Sequence, residues 1–175
     1  MEKINVKIGE TFKIGDYELI RFKDTQGGVA VVFKDLLFTS DYGENNNLAE
    51  SKILKRLNEE ILPKLEELIG AENLLEFETD LTSLDGSKKN GTMRSRISLP
   101  TFDFYRENVT VFDRYKPDRW WWLATPDSTS DHYNDKWIVC VSPRGFIHFD
   151  GYYCVYIGVR PFCIFSSSIF VSCEE

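Results

Sequence analysis

The stretch Trp120-Trp121-Trp122-Leu123-Ala124-Thr125-Pro126 is a run of aromatic and aliphatic residues that ends at a proline. Aromatic residues are enriched in strands, and proline ends a strand because it has no backbone N–H to donate. Successive side chains of a strand point to opposite faces, so three consecutive tryptophans must face both sides of the sheet they join. The segment therefore predicts a core strand.

Further strands are predicted downstream at residues 137–141, 146–149 and 159–165. The turn Ser142-Pro143-Arg144-Gly145 separates the first two, and a loop over 150–157 precedes the last. The protein is therefore expected to end in an antiparallel sheet. Alternation places one set of apolar side chains in the core of this sheet. The set consists of Trp121, Leu123, Trp137, Val139, Val141, Ile147 and Val159.

The first third of the chain predicts strands before helices. Short β-prone runs occupy residues 5–8, 17–22 and 28–33, and the turn-forming residues 24–27 make the last two a hairpin. From residue 47 to 70 the apolar residues follow helical spacing instead. This order of elements is typical of an α+β fold.

Three features of the helical and middle segments complete the prediction. Asn47 can cap the start of the helical run and Gly70 its end, while Pro63 is expected to break the run into two helices. Residues 79–98 are turn-rich and predict a long surface loop. Residues 101–107 suit a short capped helix.

Composition narrows the classes of function. A chain of 175 residues fits one domain, 1–175, and 42% hydrophobic residues can order a core. The net charge of -7 repels nucleic acid and anionic membrane surfaces. No apolar run is long enough for a membrane span, and the first residues lack the pattern of a secretory signal. We therefore expect no nucleic-acid partner and no membrane insertion.

Neither the cysteines nor the motifs indicate a cofactor. Cys140, Cys154, Cys163 and Cys173 include no CxxC pair, which disfavours a structural zinc site. Cys140 and Cys163 are expected to be small buried hydrophobes on strands. The chain has no glycine-rich phosphate cradle, HExxH or GxSxG motif, so we expect no enzyme activity and no cofactor.

Four segments carry a resemblance to a known family. They are Trp121-Trp122-Leu123-Ala124-Thr125-Pro126, Gly158-Val159-Arg160-Pro161-Phe162, Asn45-Asn46-Asn47 and Leu81-Thr82-Ser83-Leu84-Asp85-Gly86. Together they resemble small C-type-lectin-like proteins of phages and prophages of gut Firmicutes, over nearly the whole chain. The resemblance implies a C-type-lectin-like fold, with two N-terminal helices, antiparallel sheets and a C-terminal display surface.

Members of this family often serve as variable proteins of diversity-generating retroelements. A reverse transcriptase writes adenine-directed substitutions into the end of the gene, before a fixed tail like Gly158-Val159-Arg160-Pro161. Adenine substitution in Asn codons never yields Lys, Glu, Gln, Met or Trp, and none of these five occurs from residue 138 to 173. The resemblance therefore implies a protein or cell-surface ligand, and a place in the virion or the cytoplasm. It also allows a homo-oligomer or a virion component.

The expected variable region spans about 131–157. Aromatic residues crowd this loop-like stretch, where Gly, Asn and Ser would normally dominate. Tyr, His, Phe and Arg offer rigid contact area at little entropic cost, as in antibody loops. Val155 and Ile147 are expected to point inward. The ligand-binding set is Asp131, His132, Tyr133, Asn134, Arg144, Phe146, His148, Asp150, Tyr152, Tyr153, Cys154 and Tyr156.

Two alternatives to a diversified display protein stay open. An invariant phage structural or tail-associated protein would have the same fold without diversified codons. An enzyme would need His132 or His148 to join Asp131, Asp150 or Cys154 in one cluster. Calcium-dependent sugar binding is not expected, because the Glu-Pro-Asn or Gln-Pro-Asp loop and the Trp-Asn-Asp strand of such lectins are missing.

Overall fold

The computed structural model describes residues 1–172, so Cys173 lies outside the described residues. The chain forms twelve strands and four short α-helices in this range, together with a π-helical turn. The strands are β1 (Thr11–Ile14), β2 (Tyr17–Thr25), β3 (Gly28–Phe33), β4 (Phe38–Thr39), β5 (Leu74–Leu75), β6 (Phe77–Asp80), β7 (Thr92–Ser95), β8 (Trp121–Pro126), β9 (Trp137–Val141), β10 (Ile147–Gly151), β11 (Gly158–Val159) and β12 (Phe162–Ser166). The helices are α1 (Lys52–Arg56), α2 (Leu62–Ile69), α3 (Phe102–Glu107) and α4 (Val109–Phe112). This mixture of sheets with a few helices confirms the α+β class.

The first sheet has the order β1-β2-β3-β12-β5. The predicted hairpin of β2 and β3 is confirmed: Thr25 pairs with Gly28 across a two-residue turn, in which Gly27 has a φ of +77°. The predicted strand at 5–8 is wrong. A turn interrupts it, because the Glu10 N–H donates to the Lys7 carbonyl and Gly9 has a φ of +85°.

The second sheet has the order β10-β9-β8-β11-β4 and places β8 at its centre. All six residues of β8 are buried. Trp122 packs into the larger hydrophobic cluster with the helical run, whereas Trp121 packs into a second cluster with α3 and α4. The prediction that the tryptophans face both sides of a core strand is confirmed.

The predicted strand over 159–165 is in fact two strands in different sheets. β11 pairs with β4 and runs parallel to β8, whereas β12 pairs with β3 and β5 in the first sheet. The break falls at Arg160-Pro161, where proline has no N–H for a ladder and the arginine side chain is buried. The chain thus crosses from one sheet to the other at this dipeptide.

Pro63 does not break the helical run, which contradicts the prediction. α1 continues into a π-helical turn, Leu57–Ile61, and then into α2. The N–H of Leu62 donates to the Leu57 carbonyl, five residues back, and this widened turn accommodates the proline ring. The Ser51 hydroxyl caps α1, while Asn47 caps a preceding short 3₁₀ turn.

Residues 79–98 are less irregular than predicted. β6 and β7 form an antiparallel hairpin, which leaves residues 81–91 as the loop. Thr79 and Met93 are buried at the hairpin, so the segment contributes to the core. The predicted capped helix is confirmed as α3, where the Thr101 side chain accepts the Phe104 N–H.

The predicted core is correct for most of its members. Trp121, Leu123, Val139, Val141 and Val159 are all buried, as are the predicted Cys140 and Cys163. Trp137 and Ile147 are only half-buried. Trp137 is the first residue of β9 and Ile147 the first residue of β10, and these two strands lie at one side of the sheet. The inward orientation predicted for Val155 is wrong, since this side chain is 65% exposed and its neighbour Cys154 is buried instead. No helix within residues 1–172 is long and apolar enough to cross a membrane.

Candidate ligand-binding surface

Exposed aromatic side chains occur in only one part of the described chain. Five Phe and Tyr side chains within residues 1–172 are exposed, and all five lie between residues 133 and 156. They are Tyr133 (78%), Phe146 (61%), Phe149 (48%), Tyr153 (51%) and Tyr156 (60%). They belong to the display surface, which we define as loop 127–136, turn 142–146, strand β10 and loop 152–157.

Strand β10 is the edge strand of the second sheet, and its residues alternate between two faces. His148 lies opposite Cys140 and Asp150 opposite Ile138, so these two side chains share a face. The His148 ring packs edge-on against Trp120 with centroids 4.7 Å apart. Phe149 projects to the other face of the sheet.

Asp150 holds loop 152–157 against β10. Its carboxylate accepts hydrogen bonds from the Tyr156 hydroxyl at 3.0 Å, the Cys154 thiol at 2.7 Å and the Gly151 N–H at 3.0 Å. The bond to Asp150 raises the pKa of Tyr156. Burial, and to a smaller extent the hydrogen bond to Asp150, raise the pKa of the Cys154 thiol. This group therefore stays protonated and is a poor nucleophile.

Loop 127–136 is anchored by a buried amide from the first half of the chain. The Asn46 side chain is 1% exposed, and its Nδ2 donates to the carbonyls of Ser128 at 2.9 Å and Trp137 at 3.1 Å. The Ser128 carbonyl lies near the start of the loop and the Trp137 carbonyl directly after its end, so a single carboxamide holds both ends. The Lys136 carbonyl also accepts the Tyr152 N–H, which joins this loop to loop 152–157.

Loop 81–91 supports loop 127–136 from the other side through Asp85. Its carboxylate bonds His132 Nδ1 at 2.5 Å and accepts from the Ser83 hydroxyl. The hydroxyls of Ser83 and Ser128, and then His132, hold the pKa of Asp85 well below its usual range. The Leu84 N–H adds a backbone bond of 3.0 Å to the Pro126 carbonyl.

Two more contacts join these loops. The Ser87 hydroxyl lies 2.5 Å from the Thr129 hydroxyl and 3.1 Å from the Asp131 carboxylate. The Lys89 ammonium contacts the Ser130 hydroxyl. The exposed side chains of loop 127–136 are therefore carried by a backbone with fixed anchors on both sides.

The structure places most of the predicted ligand-binding residues at the surface. The exposed members are Asp131, His132, Tyr133, Asn134, Arg144, Phe146, His148, Tyr153 and Tyr156. Asp150 and Tyr152 are half-buried, and Tyr152 packs against the larger cluster. Cys154 is 9% exposed, so its prediction as a contact residue is wrong: its short side chain takes the inward position of the loop.

The sequence predicted no role for Asn46, Asp85 or Ser87, which anchor the surface from outside the predicted variable region. The Asn45-Asn46-Asn47 run and the Leu81–Gly86 segment were the available signals. Both contribute hydrogen bonds to loop 127–136. Asn46, Asp85 and Ser87 are thus separate in sequence from loop 127–136, which they hold.

The groups that could form a catalytic cluster are engaged with different partners. His132 pairs with Asp85, His148 packs on Trp120, and the Cys154 thiol donates to Asp150. Within residues 1–172, no group of three or more His, Cys, Asp or Glu side chains is arranged to hold a metal ion.

The chain was also compared with known proteins. No protein-family model, no curated protein and no solved structure matches it.

Proposed function

We propose that the protein is a ligand-binding display module with a C-type-lectin-like fold, used for receptor recognition by a phage or prophage. Its ligand is a protein or cell-surface molecule, and the display surface is diversified by retroelement mutagenesis. One observation carries this proposal: every exposed aromatic side chain of residues 1–172 lies between residues 133 and 156. Exposed aromatic side chains are enriched at binding interfaces, where they bury large areas at low entropic cost.

The separation of anchors from contacts supports diversification in particular. An exposed position such as Tyr133 can change without removing a buried contact, because Asn46 holds loop 127–136 through the backbone carbonyls of Ser128 and Trp137. A site that varies needs a scaffold whose stability does not depend on the varied residues. The fixed tail, Gly158 to Pro161, is fully buried, as an invariant segment should be.

The decisive experiment for diversification is genomic. The DNA flanking the gene should contain a near-identical repeat of the segment encoding about residues 120–165, differing from it at adenines, together with a reverse-transcriptase gene. Identical codons in independent isolates, with no such repeat, would contradict diversification. That result would favour an invariant phage structural protein of the same fold.

A second experiment tests whether this surface can bind ligands. One library randomises Phe146, His148, Tyr153 and Tyr156, and a matched library randomises four exposed helical positions, Glu60, Lys64, Glu67 and Leu68. Both are displayed on phage and selected on purified lysozyme as the test protein. The first library should yield folded variants with saturable binding, and the helical library should not. Equal yields of binding variants would show that the display surface binds ligands no better than the helical surface.

A further inference from the structure

The Arg160 guanidinium carries a charge that is fully buried. Its Nε donates to the Phe33 carbonyl and its Nη2 to the Tyr115 carbonyl, both at 2.8 Å. The rings of Trp121 and Phe112 lie 5.1 and 5.6 Å from its Cζ. Within residues 1–172, no carboxylate forms an ion pair with it.

Two buried donors next to this charge have no hydrogen-bond partner. They are Nη1 of Arg160 and Nε1 of Trp121, and both residues are at most 1% exposed. Both residues line one small cavity, which offers about 10 Å³ to the centre of a water-sized sphere and so has room for a single small occupant. Buried donors are almost always satisfied, so an orphan pair at one cavity indicates a site for an acceptor.

The charge of the site selects the kind of acceptor. An unpaired buried cation is costly, and a negative charge beside it removes part of that cost. Burial lowers the pKa of Arg160 only to about 10, so the guanidinium stays charged at neutral pH. Asp113 also lines the cavity, but its carboxylate is half-exposed and lies 3.5 Å from the Lys116 ammonium. The wall of the cavity that Arg160 forms is therefore cationic.

We propose that this cavity binds one small monovalent anion, of the size of chloride, between Arg160 Nη1 and Trp121 Nε1. The anion accepts both hydrogen bonds and neutralises the buried charge. Ser142 and Gly145 form another wall of the cavity, and the Tyr105 hydroxyl donates to the Gly145 carbonyl at 3.0 Å. The site therefore lies under turn 142–146 and stabilises the part of the display surface that presents Arg144 and Phe146.

The test compares three proteins by thermal unfolding: the parent, Trp121→Phe and Trp122→Phe. Sodium chloride is exchanged for sodium gluconate at constant ionic strength. Trp121→Phe removes the orphan donor and keeps an aromatic ring. Trp122→Phe is the matched control, because the Trp122 Nε1 donates to the Ser40 carbonyl, away from the cavity.

The unfolding midpoint of the parent should rise with chloride and saturate. Trp122→Phe should lower the midpoint but keep the same chloride dependence, whereas Trp121→Phe should weaken the apparent chloride affinity about tenfold, as expected for the loss of one hydrogen bond to a charged group. A parent midpoint that is independent of chloride would overturn the proposal. So would an unchanged affinity in Trp121→Phe.

A second measurement tests the anion site if Trp121→Phe does not fold. Crystals of the parent soaked in sodium bromide should show an anomalous peak between Arg160 and Trp121. Density at this position without anomalous signal would identify a water and overturn the anion site.

Discussion

Strands β8 and β10 belong to the same sheet and both carry aromatic residues, yet they have opposite environments. β8 has neighbours on both sides and a hydrophobic cluster on each face, so all six of its residues are buried. β10 has β9 on one side only, and both His148 and Phe149 are exposed. Aromatic content alone therefore does not distinguish a core strand from an exposed strand. The position of the strand in the sheet does.

The comparison predicts that substitutions in the two strands have different effects. Substitutions in β8 should reduce the stability of the whole domain, whereas substitutions in β10 and the adjoining loops should alter the surface. The Asn46 anchor should fall between these two, because its side chain is buried but bonds only the carbonyls of Ser128 and Trp137. The experiments below test this order, from the largest expected effect to the smallest.

Replacing Trp122 by Ala should have the largest effect. Trp122 is fully buried, packs edge-on against Tyr42 at 5.3 Å and donates to the Ser40 carbonyl. Removing it should reduce the free energy of unfolding by about 3 to 5 kcal/mol, measured by urea denaturation. Phe149→Ala in β10 is the control and should cost less than about 1 kcal/mol. Similar losses in the two variants would remove the distinction between the strands.

Asn46→Ala should cost about 1 to 3 kcal/mol, because the buried Ser128 carbonyl loses its donor and one end of loop 127–136 is freed. Hydrogen exchange should quicken in residues 127–137 and stay unchanged in β3. Asn58→Ala is the matched control. The Asn58 side chain donates to the Leu54 carbonyl at an exposed position, so its loss should change stability by less than about 0.5 kcal/mol. If both variants behaved alike, Asn46 would not be an anchor.

The Asp85 contact should make stability depend on pH in the acid range. The pKa of Asp85 is lowered in the folded protein, so its contribution is complete above the unfolded value of about 3.9 and is lost as the pH falls towards the lower folded value. Between about pH 5 and pH 2, the unfolding midpoint of the parent should therefore fall more steeply than that of Asp85→Asn. Parallel curves for the two proteins would show that the carboxylate does not support the loop.

The smallest effect is expected from replacing Phe146, His148, Tyr153 and Tyr156 together by Ser. These side chains are exposed, so each change should cost about 0.5 kcal/mol or less, and the set less than about 2 kcal/mol. Adding Asp150→Asn and Tyr152→Ser should cost at least about 1 kcal/mol more, because Asp150 still accepts hydrogen bonds from Cys154 and Gly151 and Tyr152 packs on the core. Unfolding of the four-site variant at room temperature would contradict the assignment of a display surface.

Local signals in the sequence were sufficient for part of the fold. The three tryptophans predicted β8, the turn residues predicted the hairpin of β2 and β3, and Thr101 predicted the cap of α3. The crossing at Arg160-Pro161 could not be predicted, because residues 159 and 162–165 are all β-prone and the pairing of β12 with β3 is remote in sequence. The π-helical turn before Pro63 likewise leaves no pattern in the residue types.

Some features of the candidate site were likewise predictable from the sequence, and others were not. Crowding of aromatic residues in a loop-like segment was enough to predict exposed side chains such as Tyr153 and Tyr156. The anchor made by Asn46 was not predictable, since a side-chain bond to a carbonyl 82 residues away has no periodicity. Cys154 and Val155 were assigned to the wrong sides because a loop does not alternate as a strand does.

The position of β12 has a consequence for biosynthesis. β12 is the neighbour of β3, although Phe162 and its partner Val32 lie far apart in the sequence. While the ribosome extends the chain, the hairpin of β2 and β3 emerges early with an unpaired edge and must wait until residues 162–166 have left the exit tunnel. A premature stop codon anywhere before Phe162 would leave that edge open on a nascent product that cannot complete its first sheet. Such products would be substrates for chaperones and proteases. Only chains translated beyond the whole display surface, as far as β12, can therefore complete the first sheet.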